Sequence, residues 1–281
     1  MTALLGLDRM TGVGLDELDR RAALQVRQDN KYLVPEPALW SLLADLRDTY
    51  DVLEIDGERA FGYDSVYFDS ADLALHGAHV QGRRLRWKVR TRQYVDSGLT
   101  YQEVKLKGLR GQTVKVRQRC DERDHGRVTP ALVALVERSL AEHHQAGLPF
   151  TLQPTAGVRY DRTTLVSRSG TERVTVDRHL DASDPSGRAV GHLRRTLALL
   201  EVKTERGRGS ADLALQERRQ HPVEMSKYGC AIALADPNRP HPALLPVLRK
   251  AFIPAAAAPP LWTAHTAPEA VTPPCRGPRS T

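Results

Sequence analysis

Residues Arg83 to Tyr94 read RRLRWKVRTRQY, Tyr101 to Lys107 read YQEVKLK, and Thr113 to Cys120 read TVKVRQRC. In the first stretch Arg84, Arg86, Lys88, Arg90 and Arg92 share one face, and Leu85, Trp87 and Val89 share the other. In the second, Glu103, Lys105 and Lys107 oppose Val104 and Leu106. In the third, Lys115, Arg117 and Arg119 oppose Val114 and Val116. A repeat of two means β-strand, because successive side chains point to opposite sides of a sheet. Three successive strands therefore each carry one apolar and one cationic face. A lone basic strand serves as a charge-protected sheet edge, but three in succession, curled together, make a cavity for a polyanion.

The rest of the composition agrees. The chain has 281 residues and a net charge of +7, which points to an anionic partner. Aromatic residues are only 5%, and no aromatic platform alternates with the charges, so nucleic acid is disfavoured. Cys120, Cys230 and Cys275 match no metal or disulfide framework, and a reducing cytoplasm is the expectation. No stretch approaches the roughly 20 apolar residues of a membrane span, and no secretory signal is evident. Work at a membrane would require a partner protein.

Along the chain, residues 1–20 are expected to form an arm or short helix. Helices are expected over Glu36–Thr49 and Thr129–Gln145, with Thr129 as N-cap and Pro130 at the first position. A further strand is expected over Tyr63–Asp69, then strands at 155–166, 172–178 and 196–204, and a short helix from Ser210 to Arg219. The segment 236–281 holds eleven prolines and an alanine run, so disorder is expected there. The main domain is thus 21–235. Strands interrupted by isolated helices, without βαβ alternation, indicate an α+β fold with an antiparallel sheet. The charged inner faces indicate an antiparallel β-barrel, closed or nearly so, with a few flanking helices.

Four local patterns then line up in order. They are Arg27-x-Asp29-x-Lys31-Tyr32; Lys88-x-Arg90-x-Arg92 with Glu103-x-Lys105; Tyr160-x-Arg162 with Glu172-Arg173 and Asp177; and Glu201-x-Lys203 with Ser226-Lys227-Tyr228. This set resembles the VTC domain, the catalytic domain of polyphosphate polymerases within the triphosphate tunnel metalloenzymes, the superfamily that also holds the CYTH-type triphosphatases. The resemblance spans about residues 25–235. It implies an antiparallel tunnel with Arg90, Arg92, Lys105, Arg162 and Arg173 around the reacting phosphates. Arg27, Lys31, Lys88, Lys203 and Lys227 would bind substrate. Glu201, joined by Glu103, would hold a divalent metal, Mn²⁺ or Mg²⁺. Arg27-x-Asp29-x-Lys31 departs from the Glu-x-Glu-x-Lys opening of the CYTH branch. Glu224 stands where eukaryotic VTC polymerases carry a lysine.

Physical chemistry fits these roles. Arginine's planar fork grips phosphate oxygens in pairs, and lysine supplies a point charge. Oxygen ligands suit Mg²⁺ or Mn²⁺. An isolated Glu-x-Lys pair is usually a solvated salt bridge; two such pairs on matching strands favour a site. Asp177 reads either as a second lumen carboxylate or as a turn residue. Tyr32, Tyr94, Tyr160 and Tyr228 read as packing residues, and His143-His144 as surface. The expected activity is transfer of the ATP γ-phosphate to a growing polyphosphate chain. The alternatives are an inorganic or nucleoside triphosphatase and a non-catalytic polyphosphate-binding protein.

Overall fold

The alternation of charged and apolar residues is realised as strands whose apolar faces turn outward, under helices, and whose charged faces turn inward. The computed structural model describes residues 6–21, 28–108, 113–205, 207–239 and 241–256. Its strands are β1 (Gly12–Val13), β2 (Gln28–Pro35), β3 (Tyr50–Leu53), β4 (Phe61–Asp69), β5 (Arg86–Tyr94) and β6 (Leu99–Lys107). They continue with β7 (Thr113–Cys120), β8 (Gln153–Ser167), β9 (Glu172–Ser183), β10 (Ala189–Leu193), β11 (Leu197–Thr204) and β12 (Phe252–Pro254). The helices are α1 (Leu15–Arg21), α2 (Glu36–Leu46), α3 (Ala74–Val80), α4 (Pro130–His144), α5 (Ser210–Glu217), α6 (Lys227–Ala235) and α7 (Leu245–Ala251). The arm and Arg27 of the expected site are divided by this coverage: α1 is described, and Arg27 lies outside the described residues.

An antiparallel ladder runs β2–β11–β9–β8–β4–β5–β6–β7. The long strands β8 and β9 are shared. β8 gives its last residues to β3, with Leu165 opposite Val52, and β9 gives its far end to β10. Between Arg159 and Asp161 the β8–β9 register slips, and His179 there takes φ 49°, as a bulge requires. The barrel expected from the sequence, closed or nearly so, is realised in part. Among the described residues no ladder joins β7 to β2, so the sheet curls round a cavity without hydrogen-bonded closure. β7 explains this in part: it is mostly exposed and carries Lys115, Arg117 and Arg119, the charge that protects a free edge from further pairing.

The helices cover the apolar outer faces. α2 buries Leu39, Leu42, Leu43 and Leu46 in one cluster with Val34, Ala198 and Leu200 of β2 and β11. α4 lays Leu132, Leu135, Val136 and Leu140 over Trp87, Val89, Val104 and Leu106. These are the apolar partners of the cationic beat, so α4 is what turns the basic faces of β5 and β6 inward. Thr129 caps α4: its Oγ1 accepts from Leu132 N at 3.2 Å and from Gln102 Nε2 at 3.0 Å. Thr129→Ala should lower stability by about 1 kcal/mol, read as a shifted urea midpoint with unchanged slope.

The expected disordered tail is corrected over 236–256. α7 buries Val247, Leu248 and Ala251, Phe252 is fully buried, and β12 pairs with β10. The apolar residues Val247, Leu248, Phe252 and Ile253, interspersed among the prolines, outweigh the compositional signal. Residues 257–281 lie outside the described residues.

Candidate functional site

Inward-facing residues of β2, β4, β5, β6, β7, β8, β9 and β11 line one cavity of about 900 Å³. Eleven of the twelve site residues expected from the sequence line it: Lys31, Lys88, Arg90, Arg92, Glu103, Lys105, Arg162, Arg173, Glu201, Lys203 and Lys227. The twelfth, Arg27, is outside the described residues. Register brings them together. Arg90 lies opposite Glu103 and Lys88 opposite Lys105, Glu201 lies opposite Lys31, and Lys203 lies opposite Arg173. Lys227 reaches the same space from the first position of α6, whose N-cap Ser226 accepts from Gly229 N at 3.0 Å.

The arginines are held by partners behind them. Arg90 donates Nε and Nη2 to Glu103 Oε2 at 2.7 and 2.5 Å and Nη1 to Tyr67 OH at 3.0 Å. Arg92, itself buried, donates to Ser65 Oγ at 3.1 Å and Tyr160 OH at 2.8 Å. Arg162 makes a two-pronged pair with Asp177 at 2.6 and 2.8 Å. Lys227 Nζ lies 2.5 Å from the second oxygen of the same carboxylate. Asp177 is 0% exposed, so it is a buried counter-ion, not a turn residue. Arg173 donates to Leu18 O at 3.1 Å and to Asp19 Oδ1 at 3.0 Å, which ties α1 to this end of the cavity.

The carboxylates divide into two kinds. Glu103 has Arg90 on one oxygen, and Lys115 lies 2.5 Å from the other. Burial alone would raise its pKa, but Arg90, Arg92 and Lys115 outweigh that and hold it far below the usual range. Glu201 has a looser neighbour, Lys203 at 3.7 Å. Burial opposes its charge as well, yet Lys203, Lys31, Lys227 and Arg162 hold its carboxyl well below the usual value. Among the described residues no group of three or more His, Cys, Asp or Glu is placed to hold a metal ion. Glu201, with Asp29 near it in the lining on neighbouring strand β2, fits a hard divalent ion that takes most of its ligands from water and phosphate oxygens. Glu103, expected as a metal ligand, is instead engaged by two cations.

Toward β7 the charges are less well matched. Lys88 faces Lys105 and Lys105 faces Lys115 across the ladder, and like charges directly opposite repel. Burial, then Lys105, Lys31, Arg90 and Arg86, pull Lys88 down to about 7. Burial is also the main cause that brings Lys115 to about 8, although Glu103 pulls the other way. A bound polyanion would restore the proton on Lys88. At pH 8 binding of polyphosphate should therefore take up about one proton, and affinity should fall as pH rises from 7 to 9. Calorimetry in two buffers of different ionisation enthalpy reads this directly; identical heats in both would refute it. The sign for folding is opposite. An unfolded lysine keeps its proton up to its ordinary pKa, so the empty protein gains stability from this group as pH rises above about 7.

Some cavity residues lie outside the site expected from the sequence. Lys115 and Arg117 line the cavity and continue the same two-residue beat, so the signal was present. Tyr94 and Tyr160, expected as packing residues, line the cavity, as do Tyr63 and Tyr101. Lys227, Arg92 and Arg162 sit over the Tyr160 ring at 4.6, 5.9 and 5.2 Å from its centroid, a cation–π arrangement. Glu224 is exposed and does not line the cavity, so its reversed charge falls outside the site.

The chain has no match among curated proteins. Among solved structures it is similar to a Hippeastrum protein described as an adenylyl cyclase with a dominant triphosphatase activity. The identity is 17% and the TM-score 0.46, over 72% of this chain and 93% of that one. It is also similar to a protein from Bacillus halodurans described as an adenylate cyclase, at 15% identity and TM-score 0.40, over 72% and 95% of the two chains. A Vibrio parahaemolyticus protein of the same description gives 13% identity and TM-score 0.38, over 69% and 84%. The family model for the VTC domain matches residues 26–235, the span that contains every lysine and arginine of the cavity lining, and the chain belongs to the VTC domain family.

Proposed function

We propose that the protein is a metal-dependent polyphosphate polymerase that transfers the γ-phosphate of ATP to a growing polyphosphate chain. The observation that supports this reading is a cavity in which Arg90, Arg92 and Arg162 are each fixed from behind, while Glu201 meets Lys203 at 3.7 Å, a looser pair than Glu103 makes with Arg90. Fixed guanidinium groups align phosphates without reorganising during the reaction. The three arginines grip the reacting phosphates, Lys105 and Arg173 extend the grip, and Lys31, Lys88, Lys203 and Lys227 hold the remaining chain. Glu201, with Asp29, would hold Mn²⁺ or Mg²⁺, which when bound neutralises charge on the phosphate oxygens.

In the step itself, a terminal oxygen of the chain bonds to the γ-phosphorus. The bond from that phosphorus to the β–γ bridging oxygen breaks, and the nucleoside diphosphate leaves with the electron pair. A terminal phosphate oxygen is already ionised at neutral pH, so no base is required. Water as acceptor would need activation, which a bound divalent ion would supply, so product analysis separates the two outcomes.

The test is incubation of purified protein with ATP and Mn²⁺ or Mg²⁺, with products resolved by gel electrophoresis and phosphorus NMR. Metal-dependent formation of long chains is the expected result. Free phosphate without polymer would replace this reading with a triphosphatase. Tight polyphosphate binding without turnover would replace it with a binding protein.

A further inference from the structure

The charge lining the cavity is not uniform along its length. Beyond Arg92 on β5 comes Tyr94, and beyond Glu103 on β6, in the same direction, come Tyr101 and then Leu99. All three line the cavity. Tyr94 and Tyr101 meet edge to face with centroids 5.8 Å apart, and Tyr94 leans on Tyr63 at 5.0 Å. Arg117 sits over the outer ring of the group, 5.3 Å from the Tyr101 centroid. None of these three tyrosines is fully buried. Leu15 and Ile55, 50% and 39% exposed, line the same cavity. Apolar and aromatic surface is therefore open here, beside a polyanion site that has no use for it.

The carboxylates at this end point the same way. Asp56, Glu58 and Asp96 belong to the lining, and Asp96 is fixed by accepting from Gly62 N at 2.6 Å. Carboxylates repel phosphate but accept hydrogen bonds from the amino groups of a base. A nucleoside triphosphate has just this division: an anionic chain, then a flat π-system with exocyclic donors. Successive residues on one strand face lie two rises apart, roughly 7 Å, so Tyr94 is one such step beyond Arg92.

We propose that Tyr94 and Tyr101 form a nucleobase-stacking subsite, which seats the donor's base at the acidic, aromatic end of the cavity while its phosphates enter the arginine clamp. The inference rests on the proposed function, since it assigns the donor of that reaction. Stacking on tyrosine tolerates any base face, so purine triphosphates of either kind should be accepted. The orientation also has a consequence: the transferred phosphate points toward Lys88, Lys105 and Lys115, where like charges await an anion.

The experiment is calorimetric titration of the full chain with ATP and with inorganic triphosphate, in metal-free buffer so that no turnover intervenes. Tyr94→Ala and Tyr101→Ala should each weaken ATP by about tenfold and leave inorganic triphosphate unchanged. Tyr94→Trp should restore ATP binding. Retained triphosphate binding shows that the cavity has survived each substitution. Equal loss of both ligands, or loss of neither, would overturn the subsite while leaving the polyphosphate reading intact. A wild-type protein that binds no inorganic triphosphate would overturn both.

Discussion

Glu201→Ala is expected to lose metal-dependent turnover by about 10²–10³-fold while inorganic triphosphate still binds. The substitution removes a lining carboxylate that lies 3.7 Å from Lys203 Nζ, and with it the proposed anchor for a divalent ion. It also removes one anion that acts on Lys31, Lys203, Lys227 and Arg162, so the cavity becomes more cationic and its grip on a bare anion does not fall. Turnover and calorimetric affinity, measured on the same preparation, separate the two effects. Full activity in the variant would remove Glu201 from the mechanism. Loss of both turnover and triphosphate binding in a folded variant would make it a structural counter-ion.

Asp177→Asn should be the most destabilising single change in the site. Asp177 is fully buried and carries both Arg162 and Lys227. Removing its charge strands two cations, at a cost of about 3–5 kcal/mol, equivalent to roughly 10 °C in melting temperature for a domain of this size. Saturating triphosphate should recover much of the loss, because a bound anion replaces the missing charge. The pH dependence is fixed in sign. Burial would raise the Asp177 pKa, but Arg162 and Lys227 outweigh it and depress it. Its stabilisation is thus present above the ordinary carboxylate pKa and disappears as pH falls through the depressed value. Melting curves of the two proteins should draw together as acid protonates the carboxylate; a gap independent of pH throughout the folded range would assign the loss to packing instead.

Much of the cavity was legible because a strand's repeat is short and strict. Once Trp87 and Val89 are outward, Lys88, Arg90 and Arg92 have nowhere to go but in. The same rule placed Glu201 with Lys203 and Glu103 with Lys105. What period two cannot supply is the identity of a neighbour across the sheet. Glu103 and Glu201 look alike as Glu-x-Lys pairs, yet ladder register sets one against Arg90 and the other against Lys31, and only the first is locked by a guanidinium. Asp177 was ambiguous for the same reason, since Arg162 meets it only through the β8–β9 pairing. Closure was overread: inward charge requires curvature, which a curled sheet supplies without joining its edges. The tail was misread because proline content reports the local chain, whereas Phe252 is placed by a pocket built from distant strands.

That tail bears on where the protein ends as a folding unit. The family match stops at residue 235, but β12 runs along β10, with Gly191 facing Pro254 and Leu193 facing Phe252. Phe252 and Leu248 complete the apolar cluster that also packs α6, the helix that delivers Lys227. Homology and foldability therefore have different borders in this chain. A fragment trimmed to the matched span would keep every recognised motif yet present β10 as a bare, sticky rim, with a hole under the helix that carries one of its substrate lysines. The family's span is here propped from outside by a segment whose composition resembles that of a linker.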